Sequence, residues 1–171
     1  MESKAPDYLA PLAGARSWKL PHNLWTMMGG CLWSAAMIHV WPDNEELVAK
    51  CDTGHKAPAP NCSCGVYAWF NPEIMQTNGY APRDHTHISG VVAGRGDFIR
   101  GADAPYWVAE SAMVLAFFDD GYPSPKVETT PGSGVYLPAK REIAEEVYAV
   151  EVIKYHEFND FCDEYGLVRF N

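Results

Sequence analysis

The sequence predicts an α+β fold: a small antiparallel sheet or partly closed barrel, finished by a C-terminal helix. Three observations point there. Short runs rich in Trp, Tyr, Val and Ile recur between breaks made of Gly, Pro, Asn and Asp, which is the pattern of short strands joined by turns. Gly90, Gly94, Gly96 and Gly101 fall inside or beside two of those runs, where they supply bends or close backbone approaches. Near the end, HEFNDFCDEYG places Phe158, Phe161 and Cys162 on one side of a helix that Gly166 stops.

Taken in order, residues 1–15 carry two prolines and no hydrophobic period, and read as a tail or strap ahead of a single globular domain over residues 16–171. RSWKL from Arg16 and LWSAAMIHVW after the turn-forming MMGG have strand length and strand composition. Pro42, Asp43 and Asn44 interrupt the pattern, and EELVAKC continues either as a helical turn capped by Asp43 or as a short strand. GVYAWF is a strand ended by Asn71 and Pro72, and EIMQTNGYAPRD a loop or short helix followed by a turn. ISGVVAGRG and DFIRG form a hairpin or one bulged, sharply bent strand. YWVAESAMVLAFF begins as a strand, although Ala109 to Phe118 would also suit a buried helix. Residues 119–138 hold four prolines and three glycines and read as a long surface loop. VYAVEVI then alternates like a strand and leads into the closing helix.

The chemistry is concentrated in CDTGHKAPAPNCSCG, where Cys51, His55, Cys62 and Cys64 spell C-x3-H-x6-C-x-C. Four N/S ligands match a tetrahedral zinc site held for structure, with no position left for water or substrate. The two prolines of KAPAPN block a helix and favour an arch that turns the second pair back onto the first. Isolated thiols with an incidental histidine, or disulfides, are the competing readings. Five cysteines and no hydrophobic leader argue against a secreted disulfide framework, and a bond between Cys62 and Cys64 would close a strained ring. Cys162 shares a helical face with Phe158 and Phe161 and is expected in the core, as is Cys31.

A hydrophobic share of 47 % makes the chain globular, yet no stretch approaches the roughly 18 consecutive apolar residues of a membrane-spanning helix, so a soluble cytoplasmic protein is expected. The formal charge of −9 opposes nucleic-acid binding, which calls for a basic face. Eight acidic residues against one lysine between Glu142 and Glu164 form a solvated face or a surface for a basic partner.

A second metal site is conceivable at RDHTH, where His85 and His87 would need further ligands from Asp97, Asp103, Glu110, His22, His39 or His156. Polar loop histidines ahead of a strand are the plainer reading. Arg95-Gly96-Asp97 matches an adhesion tripeptide only by letter, GRGDFIRG lacks the lysine of a phosphate loop, and Ser111 lacks the glycines of a nucleophile elbow.

Gly14 to Trp18 (GARSW), Trp41-Pro42, Cys51, His55 with Ala57 and Pro58, and Cys62 to Ala68 (CSCGVYA) together resemble the motif order of a group of short uncharacterised proteins from actinobacteria and their phages. ISGVVAGRG and YWVAESA resemble a second, looser block of that group, so the likeness covers roughly residues 14–118. It departs at Tyr106-Trp107-Val108, where the group often carries Gly-Tyr-Arg. The resemblance implies a shared metal-clipped fold and a bacterial or phage cytoplasm. Trp and Tyr residues expected near the surface, the acidic C-terminal segment and the long Pro/Gly loop are materials for a protein interface. The function expected is therefore that of a non-enzymatic, zinc-stabilised protein that acts by binding another protein, with a host factor as partner if the origin is a phage. A metal-dependent hydrolase using His85 and His87 is the alternative. DNA mimicry by the acidic segment is a third.

Overall fold

A computed structural model describes residues 10–19, 32–34, 40–42, 44–80, 87–100, 104–119 and 143–170. Eight strands form one sheet: β1 (Leu12–Lys19), β2 (Leu32–Ser34), β3 (Val40–Trp41), β4 (Leu47–Val48), β5 (Val66–Trp69), β6 (His87–Arg100), β7 (Tyr106–Phe118) and β8 (Glu151–Ile153). All pairings are antiparallel except that of β8 with β7. Two α-helices, α1 (Pro72–Met75) and α2 (Phe158–Glu164), and short helical turns at Gln76–Tyr80, Ile143–Val147 and Tyr155–Glu157 complete the described chain.

The sheet curls until β1, β6, β7 and β5 form a ring. β6 pairs with β1 on one edge and β7 on the other, β5 pairs with β7, and the single partnership Ala15 with Trp69 returns to β1. Closure is therefore partial. The bend comes from β6, where the register with β7 shifts between Val91 and Val92 and again between Arg95 and Phe98, Gly96 lying in the second bulge at φ +74°. ISGVVAGRG and DFIRG are thus one bulged strand rather than a hairpin. YWVAESAMVLAFF is strand throughout, because from Ala109 to Phe118 it is hydrogen-bonded to neighbours on both edges, which a helix would forgo.

Trp107 fills the ring. It is fully buried, its Nε1–H donates to the Ala13 carbonyl at 2.8 Å, and its indole lies where a Cβ on Gly14 or Gly94 would come within 2.6 Å. Two apolar clusters cover the sheet. One is built on Trp18, Trp41, Phe117 and Tyr148, with Trp18 edge-on to Trp41 at 5.3 Å and to Phe117 at 5.8 Å. Tyr148 carries its polar end inward: its hydroxyl accepts from the Leu32 N–H at 2.9 Å and donates to the Trp41 carbonyl at 3.0 Å. The other cluster gathers Met75, Val91 and Phe118 against Phe158, Phe161 and Cys162, so α2 buries the face its i, i+3, i+4 spacing predicts. The helix ends where expected. Gly166, at φ +62°, donates to Asp163 O and Leu167 to Cys162 O, a Schellman cap.

Several expectations shift. Leu12 to Ala15, assigned to the tail, are the buried first half of β1, because this strand pairs with β6 from Leu12 onward. Of the two readings open for EELVAKC, the short strand is the one formed, as β4. Within VYAVEVI only Glu151–Ile153 is strand, since Ile143–Val147 closes a wide helical turn that buries Ile143 and Ala144. Asp119 is described, but the rest of the 119–138 loop lies outside the described residues, as do His22, Cys31, His39, His85 and Asp103.

Candidate metal centre

The segment between β4 and β5 turns back on itself as the prolines require. Ala49 N–H is held by Glu110 O on β7, Gly54 N–H returns to Cys51 O at 3.0 Å, and Cys62 N–H to Ala59 O at 3.2 Å. Gly65 then feeds the chain into β5 at φ +125°, where its missing side chain leaves room for Val108 and Pro58. Any other residue there would meet both a forbidden φ and the Val108 methyl group.

This path brings Cys51, His55, Cys62 and Cys64 together, with one ligand atom from each lying within 4.8 Å of all the others. The Cys51 and Cys62 sulfurs approach to 3.7 Å, Cys51 Sγ lies 3.3 Å from His55 Nε2, and Cys64 Sγ lies 3.7 Å from His55 Nδ1. The cysteines are free thiols and half-buried; the imidazole is exposed. Among the described residues this is the one group of three or more His, Cys, Asp or Glu side chains placed to share an ion. The four residues can hold a metal ion.

Local groups prepare the ligands. His55 Nδ1 stands 3.3 Å from the Lys56 carbonyl oxygen, an acceptor only, so a proton placed on Nδ1 would leave Nε2, 3.3 Å from Cys51 Sγ, free to bind an ion. The Thr53 hydroxyl, 3.0 Å from Cys51 Sγ, donates to the thiolate and brings its pKa down to about 7. Loss of water raises the Cys64 thiol instead. A cation resolves that conflict by favouring the thiolate at every sulfur.

The clip is also tied to the sheet from outside. Lys56 reaches Asp97 at 3.0 Å and Glu110 at 3.1 Å, and Glu110 accepts from the Asp97 N–H at 3.2 Å, so the bulge of β6 grips the residue next to His55. Half-buried Arg16 donates to the Tyr67 carbonyl and lies over the Trp41 ring at 4.9 Å, loss of water lowering its pKa to about 10. None of Thr53, Lys56 or Arg16 stands out in the sequence. Lys56 is the nearest to legible, being a cation inside the arch, but its partners are 41 and 54 residues away.

Among the described residues the rival constellation is not assembled; His85, the other half of the pair, lies outside them. His87 opens β6 opposite Lys19, whereas Asp97 sits ten positions along the same strand, roughly 30 Å at about 3.3 Å per residue. Asp97 and Glu110, both considered as ligands beside His87, are engaged with Lys56. His156 lies in the short turn before α2. The acidic segment is exposed at Glu145, Glu146, Glu151, Asp160, Asp163 and Glu164, beside Val152 and Tyr165, which are 39 % and 51 % exposed.

No described helix is long and apolar enough to cross a membrane. Compared with known proteins, the chain matches no family model, no curated protein and no solved structure.

Proposed function

We propose that the protein is a zinc-stabilised binding module: the ion holds the 51–65 arch in shape, and the work is done by contact with another protein. The observation that carries this reading is the closed ligand set. In a tetrahedral site with Zn–S near 2.3 Å and Zn–N near 2.0 Å, two sulfurs stand about 3.8 Å apart and a sulfur and a nitrogen about 3.5 Å. Cys51 to Cys62 at 3.7 Å and Cys51 to His55 at 3.3 Å lie close to those edges. Three thiolates and an imidazole favour zinc over the oxygen-seeking cations. With four protein ligands no coordination position remains for substrate, so the ion serves structure and not catalysis. Four free thiols among the described residues suit a reducing cytoplasm.

The surface offered to a partner is the acidic C-terminal face. Tyr165 donates to Glu151 at 3.1 Å, joining α2 to β8, and exposed Val152 sits next to that carboxylate. Apolar groups ringed by carboxylates suit a basic protein surface. The resemblance to actinobacterial and phage proteins makes a host factor the natural candidate. The test is retrieval of a partner from lysate by the native chain and by a variant with Glu145, Glu146 and Glu151 changed to Lys. Binding by the first and loss in the second supports the reading; no partner for either removes it.

A further inference from the structure

The clip places two of its sulfurs so that they can leave the ion for each other. Cys51 and Cys62 approach to 3.7 Å across an arch of ten intervening residues, a loop long enough to close without the strain that a Cys62–Cys64 bond would impose. Both sulfurs are only half-buried and the histidine beside them is exposed, so a small oxidant reaches them from solvent. We infer that the metal centre is a peroxide-responsive switch in which oxidation joins Cys51 to Cys62 and ejects the ion.

The inference rests on the zinc reading and adds regulation to it. One thiolate of the pair attacks a peroxide oxygen, breaking the O–O bond to give a sulfenic acid and hydroxide, which takes a proton from solvent. The second thiolate attacks the sulfenic sulfur, forming the S–S bond and expelling a second hydroxide, likewise protonated. Two thiolates are oxidised by two electrons and hydrogen peroxide is reduced to two waters. Zinc is left with Cys64 and His55 alone, too few ligands to hold it. The Lys56 contacts, the Ala49 bond to Glu110 and the packing of Pro58 and Gly65 on Val108 involve neither sulfur, so the change is confined to the internal shape of the arch. A dithiol returns the disulfide to two thiols by exchange, itself becoming a disulfide, and the restored ligand set can take up zinc again.

The experiment uses the full chain carrying Cys31→Ser, so that the disulfide map is unambiguous. Zinc content after purification comes first: a chain without zinc defeats the zinc reading before any oxidant is added. With zinc present, stoichiometric hydrogen peroxide is added beside a metallochromic dye, followed by peptide mapping and dithiothreitol. Loss of all the zinc with a Cys51–Cys62 disulfide, regained on reduction and resupply of zinc, is the expected result. Zinc retained under peroxide that oxidises glutathione in the same tube overturns the inference while leaving the zinc reading intact. Release with only sulfinic or sulfonic acids, or with a disulfide to Cys64, overturns it as well.

Discussion

Stripping the metal from this protein should melt the arch and spare the sheet. The twelve residues between Cys51 and Cys64 are mostly exposed, and Ala57 is the one apolar side chain among them that is fully buried. Apolar burial therefore contributes little to their order. Fixing their backbones costs about 12 kcal/mol at roughly 1 kcal/mol per residue. The Lys56 contacts to Asp97 and Glu110 are exposed and screened, and cannot meet that cost. Structural zinc supplies about 10–16 kcal/mol, so bound and unbound forms differ by enough to order or free this segment. Trp107 and the two apolar clusters lie on strands that the arch does not hold together, and they stay folded. Hydrogen exchange read by mass spectrometry, with and without a chelator confirmed to remove the ion, should show protection lost across residues 52–64 and unchanged in β6 and β7. Unchanged exchange in the arch would refute the argument that ligand binding organises it, and simultaneous loss in β7 would refute the independence of the sheet.

Three further predictions concern the core. Gly94→Ala drives a methyl group to within 2.6 Å of the Trp107 ring, which its hydrogen bond to Ala13 prevents from turning aside; urea denaturation should show a loss of about 1–3 kcal/mol, largely relieved in a Trp107→Phe background. Tyr148→Phe strands the Leu32 N–H and the Trp41 carbonyl in the first apolar cluster, and should lower stability by about 1–3 kcal/mol for each group left unpartnered, measured the same way. Burial pushes the Cys162 thiol up to about 12 from an ordinary 9.0, so its contribution is present below about pH 9 and is lost as pH rises from there toward 12. Stability followed between pH 8 and pH 11, in the range set by those two values, should therefore fall more steeply in the native chain than in Cys162→Ala; parallel slopes would contradict the burial argument.

What the sequence determined by itself was local. The C-x3-H-x6-C-x-C spacing and the prolines within it specify a short arch with converging ligands, and near-neighbour geometry leaves those side chains few other places to go. Phe158, Phe161 and Cys162 specify a helix face in the same way, as Gly166 specifies its end. The tertiary structure decided everything that depends on distant pairing. Whether Ala109 to Phe118 became strand or helix rested on β4, β6 and β8 offering hydrogen bonds, and Leu12 to Ala15 left the tail for the sheet because β6 lay beside them. The grip of Asp97 and Glu110 on Lys56, and the room that Gly14 and Gly94 make for Trp107, are likewise meetings of residues far apart in the chain. Such contacts have no sequence period to announce them, since they arise only once the sheet has curled and closed.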